Sequence, residues 1–135
     1  MGMKANKKHN VIENGKFYIG GCMNRRKNGR GKIGTTEKEL KTRVSVIRSK
    51  GEKDFNVMAY ITLKVATKAR IELVESWVRE GLEQKYTHVQ NDHFEFSMLT
   101  RKEGYETFLQ DALALAAEIC NMKQWGYTVN YVKKV

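Results

Sequence analysis

Residues 16–36, KFYIGGCMNRRKNGRGKIGTT, decide how this chain is read. Lys16-Phe17-Tyr18-Ile19-Gly20 follows the turn dipeptide Asn14-Gly15 and has the aromatic and β-branched content of a strand. Asn24-Arg25-Arg26-Lys27-Asn28-Gly29-Arg30-Gly31 is turn-rich and strongly basic, and Lys32-Ile33-Gly34-Thr35 is a short run with an apolar centre. Two short strands joined by a basic loop, a β-hairpin, is the economical reading.

Working outward from the hairpin, Thr36 is placed to N-cap a helix, with Glu39 three residues on completing a capping box. Leu40, Val44 and Ile47 then form one apolar stripe, and Gly51 is a plausible stop. Phe55 to Lys64 alternates, with Phe55, Val57, Ala59, Ile61 and Leu63 on one side, as a half-buried strand does. Thr67 to about Tyr86 carries Ile71, Val74, Val78 and Leu82 at helical spacing. His93-Phe94-Glu95-Phe96 reads as a brief strand. A helix from Glu103 to about Cys120 presents Tyr105, Phe108, Leu109, Ala112, Ala116 and Ile119, and Tyr127 to Val132 reads as an edge strand.

The order ββαβα plus an extension predicts an α+β domain with a small mixed or antiparallel central sheet flanked by helices. Residues 1–14 read as a basic arm, 15–97 as the core, and 98–135 as a helix-and-strand extension of the same domain.

Composition narrows the function classes. The chain has 135 residues, 41% apolar and 30% charged, which suits one domain with a real core and excludes a disordered tail. No run approaches the ~18 apolar residues of a membrane helix. The polar start MGMKANKKHN has no apolar h-region, so a cytoplasmic location is expected, with Cys22 and Cys120 as free thiols in a reducing compartment. Of the formal charge of +10, residues 1–50 hold 14 Lys and Arg against three Glu, a net of +11; the remainder holds 11 against 12 acidic residues. A cationic surface concentrated in this way suits a phosphate backbone, an anionic lipid surface or an acidic protein.

Individual residues add candidates. Glu75 lies about 40° from Ile71 on the helical wheel, so a carboxylate shares the apolar face. It needs a cation, a metal or donors, or else it reaches water or pairs with Arg79. Glu72, rotated about 100° from Ile71, reads as an ordinary solvated glutamate. Arg43 borders the apolar stripe of the first helix or pairs with Glu39. Tyr18 fits a core aromatic with its hydroxyl at the rim, and Lys32 one more member of the basic loop.

Taken in order, Lys16-Phe17-Tyr18, Lys32-Ile33-Gly34-Thr35-Thr36, Arg43, Glu75 and His93-Phe94-Glu95-Phe96 resemble the GIY-YIG nuclease superfamily. Within it they look like the phage and virus variant whose second motif reads Lys-Ile-Gly. The resemblance spans roughly residues 15–97. A competing register takes Tyr18-Ile19-Gly20 as the second motif. It requires a helix directly after Gly20, where Asn28-Gly29-Arg30-Gly31 would break it.

The resemblance implies metal-dependent endonucleolytic hydrolysis of phosphodiester bonds in nucleic acid, DNA ahead of RNA. The implied catalytic residues are Tyr18, Lys32, Arg43 and Glu75, with Glu75 holding Mg²⁺ or another divalent cation. Arg43 would bind the scissile phosphate, and Tyr18 would help deprotonate the attacking water. Lys32, where most members carry tyrosine, fits a base or a phosphate clamp. Arg25, Arg26, Lys27, Arg30 and Lys41 are the expected phosphate contacts, and specificity would be low or borrowed from a homodimer or a partner. Two alternatives stand beside the enzyme: a non-catalytic nucleic-acid-binding module on the same scaffold, and a viral interaction protein that binds an acidic partner. His88, Asp92 and His93 lack the closed ligand set of a structural zinc site.

Overall fold

The computed structural model describes residues 10–12, 15–22, 30–89, 93–95 and 101–132. Strand β1 (Lys16–Cys22) pairs antiparallel with β2 (Arg30–Thr36), from Lys16 opposite Thr36 to Cys22 opposite Arg30, which is the hairpin read from the sequence. The connecting loop with Arg25, Arg26 and Lys27, and the basic arm at residues 1–9, lie outside the described residues.

Thr36 does not cap the next helix. It is the last residue of the β1–β2 ladder, so its backbone is committed to the sheet, and its hydroxyl accepts a hydrogen bond from the Lys38 N–H at 3.0 Å. Helix α1 (Leu40–Ser49) begins after Glu39, which makes no side-chain cap bond. The helix ends where expected: Gly51, at φ 110°, takes the left-handed conformation that closes a helix cheaply only without a Cβ. Thr67 caps α2 (Lys68–Glu83) by accepting from the Arg70 N–H at 3.1 Å.

Strand β3 (Phe55–Leu63) lies on the other side of β1. Beyond β2 the sheet is extended by β5 (His93–Glu95) and by β4 (Thr87–Val89), a short strand not anticipated from the sequence. Helix α3 (Arg101–Met122) follows, and β6 (Tyr127–Tyr131) pairs with β3 as the expected edge strand. The sheet order is β4-β5-β2-β1-β3-β6 and every pairing is antiparallel, so the sheet is not mixed.

Helices cover both faces. α2 and α3 bury Ile71, Val74, Val78, Phe108, Ala112 and Ile119 against Phe17, Ile19, Ile33 and Phe94. On the opposite face, α1 lays Leu40, Val44 and Ile47 over Tyr18, Cys22, Phe55 and Val57. Strand β3 serves both layers because its register shifts. Ile19 pairs with Ala59 but Gly20 pairs with Val57, leaving Met58 as the extra residue of a bulge. Phe55 and Val57 therefore join the α1 layer while Ile61 and Leu63 join the other, although all four belong to one alternating series. Among the described residues, no helix is long and apolar enough to cross a membrane.

Candidate functional site

Strand alternation and ladder register together decide which side chains meet. Tyr18, Gly20 and Cys22 point to the α1 face, and their partners Gly34, Lys32 and Arg30 point with them. His93 and Glu95, opposite Lys32 and Arg30, extend this face across β5. The chemically active side chains of the hairpin thus occupy one surface, split between its two ends.

Tyr18 sits in the middle of that surface and is 1% exposed. Its ring meets Phe55 edge-on, with centroids 6.1 Å apart, and its hydroxyl lies over Gly34, where a Cβ would collide with it. The Gly of the Lys-Ile-Gly run is thereby explained as the position that admits a tyrosine ring. Lys32 is also buried, at 8% exposure, two residues along β2 from Gly34.

At the Thr36 end, a cleft of about 280 Å³ opens between α1, the β2–α1 junction and the start of α2. Thr35, Thr36, Glu37 and Lys38 form one wall, Arg43 and Val46 of α1 another, and Lys68, Ile71 and Glu72 of α2 a third, with Ile12 at the margin. Arg43 reaches it because it lies on the flank of α1, off the Leu40-Val44-Ile47 stripe. Its Nε is buried with no hydrogen-bond partner among the described residues. A buried guanidinium nitrogen without an acceptor is costly, and an anion in the cleft would supply one. Lys38, Lys68 and the N-terminal dipole of α2 add positive potential, against the carboxylates of Glu37 and Glu72.

Glu75 does not line this cleft. It accepts from Arg79 Nη2 at 2.7 Å, an i,i+4 pair on the same helix, which was the alternative open to it from sequence. The α2 carboxylate that lines the cleft is Glu72, one turn earlier. Position relative to the α2 core stripe did not reveal this, because the cleft is lined jointly by the start of α2, the β2–α1 junction and α1. Lys41 is exposed on α1, and Arg30 pairs with Glu95 at 3.1 Å.

The other end of the face holds a group the sequence did not suggest. Cys22 at the end of β1, Glu52 in the α1–β3 turn and His93 of β5 place one ligand atom each within 4.8 Å of the others. The Cys22 thiol donates to Glu52 Oε1 at 3.7 Å, and the His93 Nε2–H donates to the same oxygen. Tyr105 of α3 donates to the Cys22 carbonyl and fixes the backbone there. His88 is directed elsewhere: it pairs with Glu83 at 3.2 Å and stacks on Phe94 from the α3 side, so His88 and His93 do not converge. Asp92 lies outside the described residues.

Two perturbed groups stand apart from both ends. Burial pushes the Cys120 thiol up to about 11, and burial together with the Asp111 carboxylate, 2.6 Å away, holds the Tyr86 hydroxyl above its ordinary range.

No family model, curated protein or solved structure matches the chain.

Proposed function

We propose that the Arg43 cleft binds a phosphate of nucleic acid and that the chain is a divalent-metal-dependent endonuclease of GIY-YIG type. The observation that carries this reading is the buried Arg43 Nε, without a partner among the described residues, in a cleft lined by Lys38 and Lys68 and by the carboxylates of Glu37 and Glu72. The ordered resemblance of the hairpin, α1 and α2 motifs agrees with it, with one amendment. Glu72 takes the role expected of Glu75, since it is the α2 carboxylate that lines the cleft with Arg43.

The residues of the cleft divide the work by chemistry. Arg43 donates to phosphate oxygens as a planar, permanently charged fork, and Lys38 and Lys68 add point charges that hold the neighbouring backbone. Tyr18, buried beneath α1, positions β2 through its contact with Gly34. The donor set fits Mg²⁺, which takes one or two carboxylates and keeps its remaining ligands as water; Glu72 and Glu37 are the residues that would hold it. When bound, such an ion stabilises charge on the leaving oxygen.

Cleavage of plasmid and single-stranded DNA with and without Mg²⁺ tests the proposal. Wild type should cut, and Arg43→Ala and Glu72→Gln should not. The burial of Tyr18 and Lys32, both expected to act on water or phosphate, favours a second reading: a module that binds nucleic acid without cutting it. Salt-sensitive binding by wild type, lost in Arg43→Ala and without cleavage under any metal, would select that module. Absence of nucleic-acid binding at low salt would sink both.

A further inference from the structure

We propose that Cys22, Glu52 and His93 form a zinc site, independent of the Arg43 cleft and of any nuclease activity. Three separate segments deliver the ligands: the end of β1, the turn after α1, and β5. Cys22 is 0% and His93 5% exposed, and the Glu52 side chain 20%, so this is an interior convergence and not a surface coincidence.

The donor types select the ion. A thiolate, an imidazole and one carboxylate oxygen form a mixed S, N, O set that suits Zn²⁺ and offers little to Mg²⁺, which prefers oxygen alone. With metal–ligand bonds of about 2.0–2.3 Å, ligand atoms of a tetrahedral site stand roughly 3.3–3.8 Å apart. The Cys22–Glu52 separation of 3.7 Å falls in that range. His93 and Glu52 stand closer, and a rotamer adjustment of the Glu52 side chain separates them. A zinc ion with one thiolate and one carboxylate is neutral overall, which suits a buried site and tolerates Lys32 as the ladder neighbour of His93. The fourth position falls to water.

A nucleophilic cysteine is the competing use of the same side chains, and the geometry opposes it. The sulfur has no exposed surface from which to attack a substrate. Zinc binding instead releases the thiol proton to solvent, and the cation then lies between the thiolate and the Glu52 carboxylate.

Cobalt serves as the spectroscopic probe for zinc. Tag-free full-length protein, purified with a chelator, should bind one equivalent of Co²⁺ with a thiolate-to-cobalt charge-transfer band in the near ultraviolet. Zn²⁺ should bleach that band and Mg²⁺ should not. The chain has two cysteines, so the source of the band is decidable. It should vanish in Cys22→Ser and persist in Cys120→Ala, whose sulfur lies in the α2–α3 core. Zinc at a hundredfold excess over its Kd should raise the unfolding midpoint of wild type by on the order of 10 °C. Folded wild type without the charge-transfer band, or a band that survives Cys22→Ser, overturns the proposal. Should Cys22→Ser fail to fold, Cys120→Ala and Glu52→Gln decide. Loss of the band in the first, or unchanged Co²⁺ affinity in the second, overturns it equally. None of these readouts depends on nucleic acid, so failure here leaves the reading of the cleft untouched.

Discussion

The two ends of the α1-covered face are built from the same pair of strands and are opposites in chemistry. At the Thr36 end the cleft is open and lined by Lys38, Arg43 and Lys68, and a buried donor of Arg43 has no acceptor among the described residues. At the Cys22 end the groups are interior, and a thiol and an imidazole already converge on one carboxylate oxygen. On the readings proposed above, the first would receive a phosphate together with its metal ion, and the second a zinc ion alone. They are separated along β2 by the four-residue step from Lys32 to Thr36, about 13 Å of extended chain. One hairpin therefore borders two candidate sites with different donor sets, and neither proposal requires them to communicate.

Substitutions that touch one end only sharpen this contrast. Glu72→Gln and Arg43→Ala should each lower Mg²⁺-dependent DNA cleavage by about 100-fold or more while leaving the Co²⁺ spectrum unchanged. Altered cobalt binding in either would break the separation. Phe108→Ala removes the ring that joins Tyr86 and Phe94, at centroid distances of 5.5 and 5.8 Å. It should cost about 3–5 kcal/mol in denaturant unfolding. Because Phe94 neighbours His93, weaker cobalt binding at full DNA affinity is expected if the variant remains folded.

Gly34→Ala forces a methyl group against the Tyr18 hydroxyl and should destabilise by about 1–3 kcal/mol. Its functional effect should fall on the cleft, since Thr35 is the next residue. A smaller signal concerns pH. The Cys120 thiol is raised to about 11 from an ordinary 9.0, so it is neutral in both states below pH 9. Between pH 9 and about 11 only the unfolded chain ionises, and stability should fall across that window. Tyr86, shifted in the same direction, adds to the loss above pH 10. Cys120→Ala should flatten the first part of this decline in chemical denaturation. Smallest of all, Glu75→Gln breaks an i,i+4 pair and should change stability by about 0.5 kcal/mol or less, with cleavage within about twofold. A loss as large as that of Glu72→Gln would return the metal to Glu75.

The fold was legible where local pattern and tertiary outcome coincide. The hairpin, the Leu40-Val44-Ile47 and Ile71-Val74-Val78-Leu82 stripes, the stop at Gly51 and the edge strand at Tyr127 all follow from periodicity and turn chemistry that tertiary contacts did not override. Thr36 failed as a cap because a cap residue that is also the end of a ladder cannot serve both. Strand β4 was missed because three residues, two of them exposed, carry no usable pattern. At the site, Arg43 was legible as a charge beside an apolar stripe. Glu72 was not, because a helical wheel gives a residue's angle to its own core but says nothing of which other segments line a cleft beside it. Cys22, Glu52 and His93 are 30 and 41 residues apart and share no spacing rule; the ladder register and the turn after α1 bring them together.

The extra residue at Met58 amounts to a phase reset within β3. A strand of nine residues with five inward positions would, in perfect phase, furnish one interior and leave the reverse of the sheet bare. Resetting the phase after Val57 divides the same five positions between two interiors, so Phe55 and Val57 become the floor on which α1 rests. Deleting Met58 would rejoin the phases, send Phe55 and Val57 into a layer already filled by α2 and α3, and leave α1 without a seat. Both the Arg43 cleft and the turn that carries Glu52 depend on where α1 lies, so a single inserted residue in a strand that contributes to neither site underwrites the existence of both.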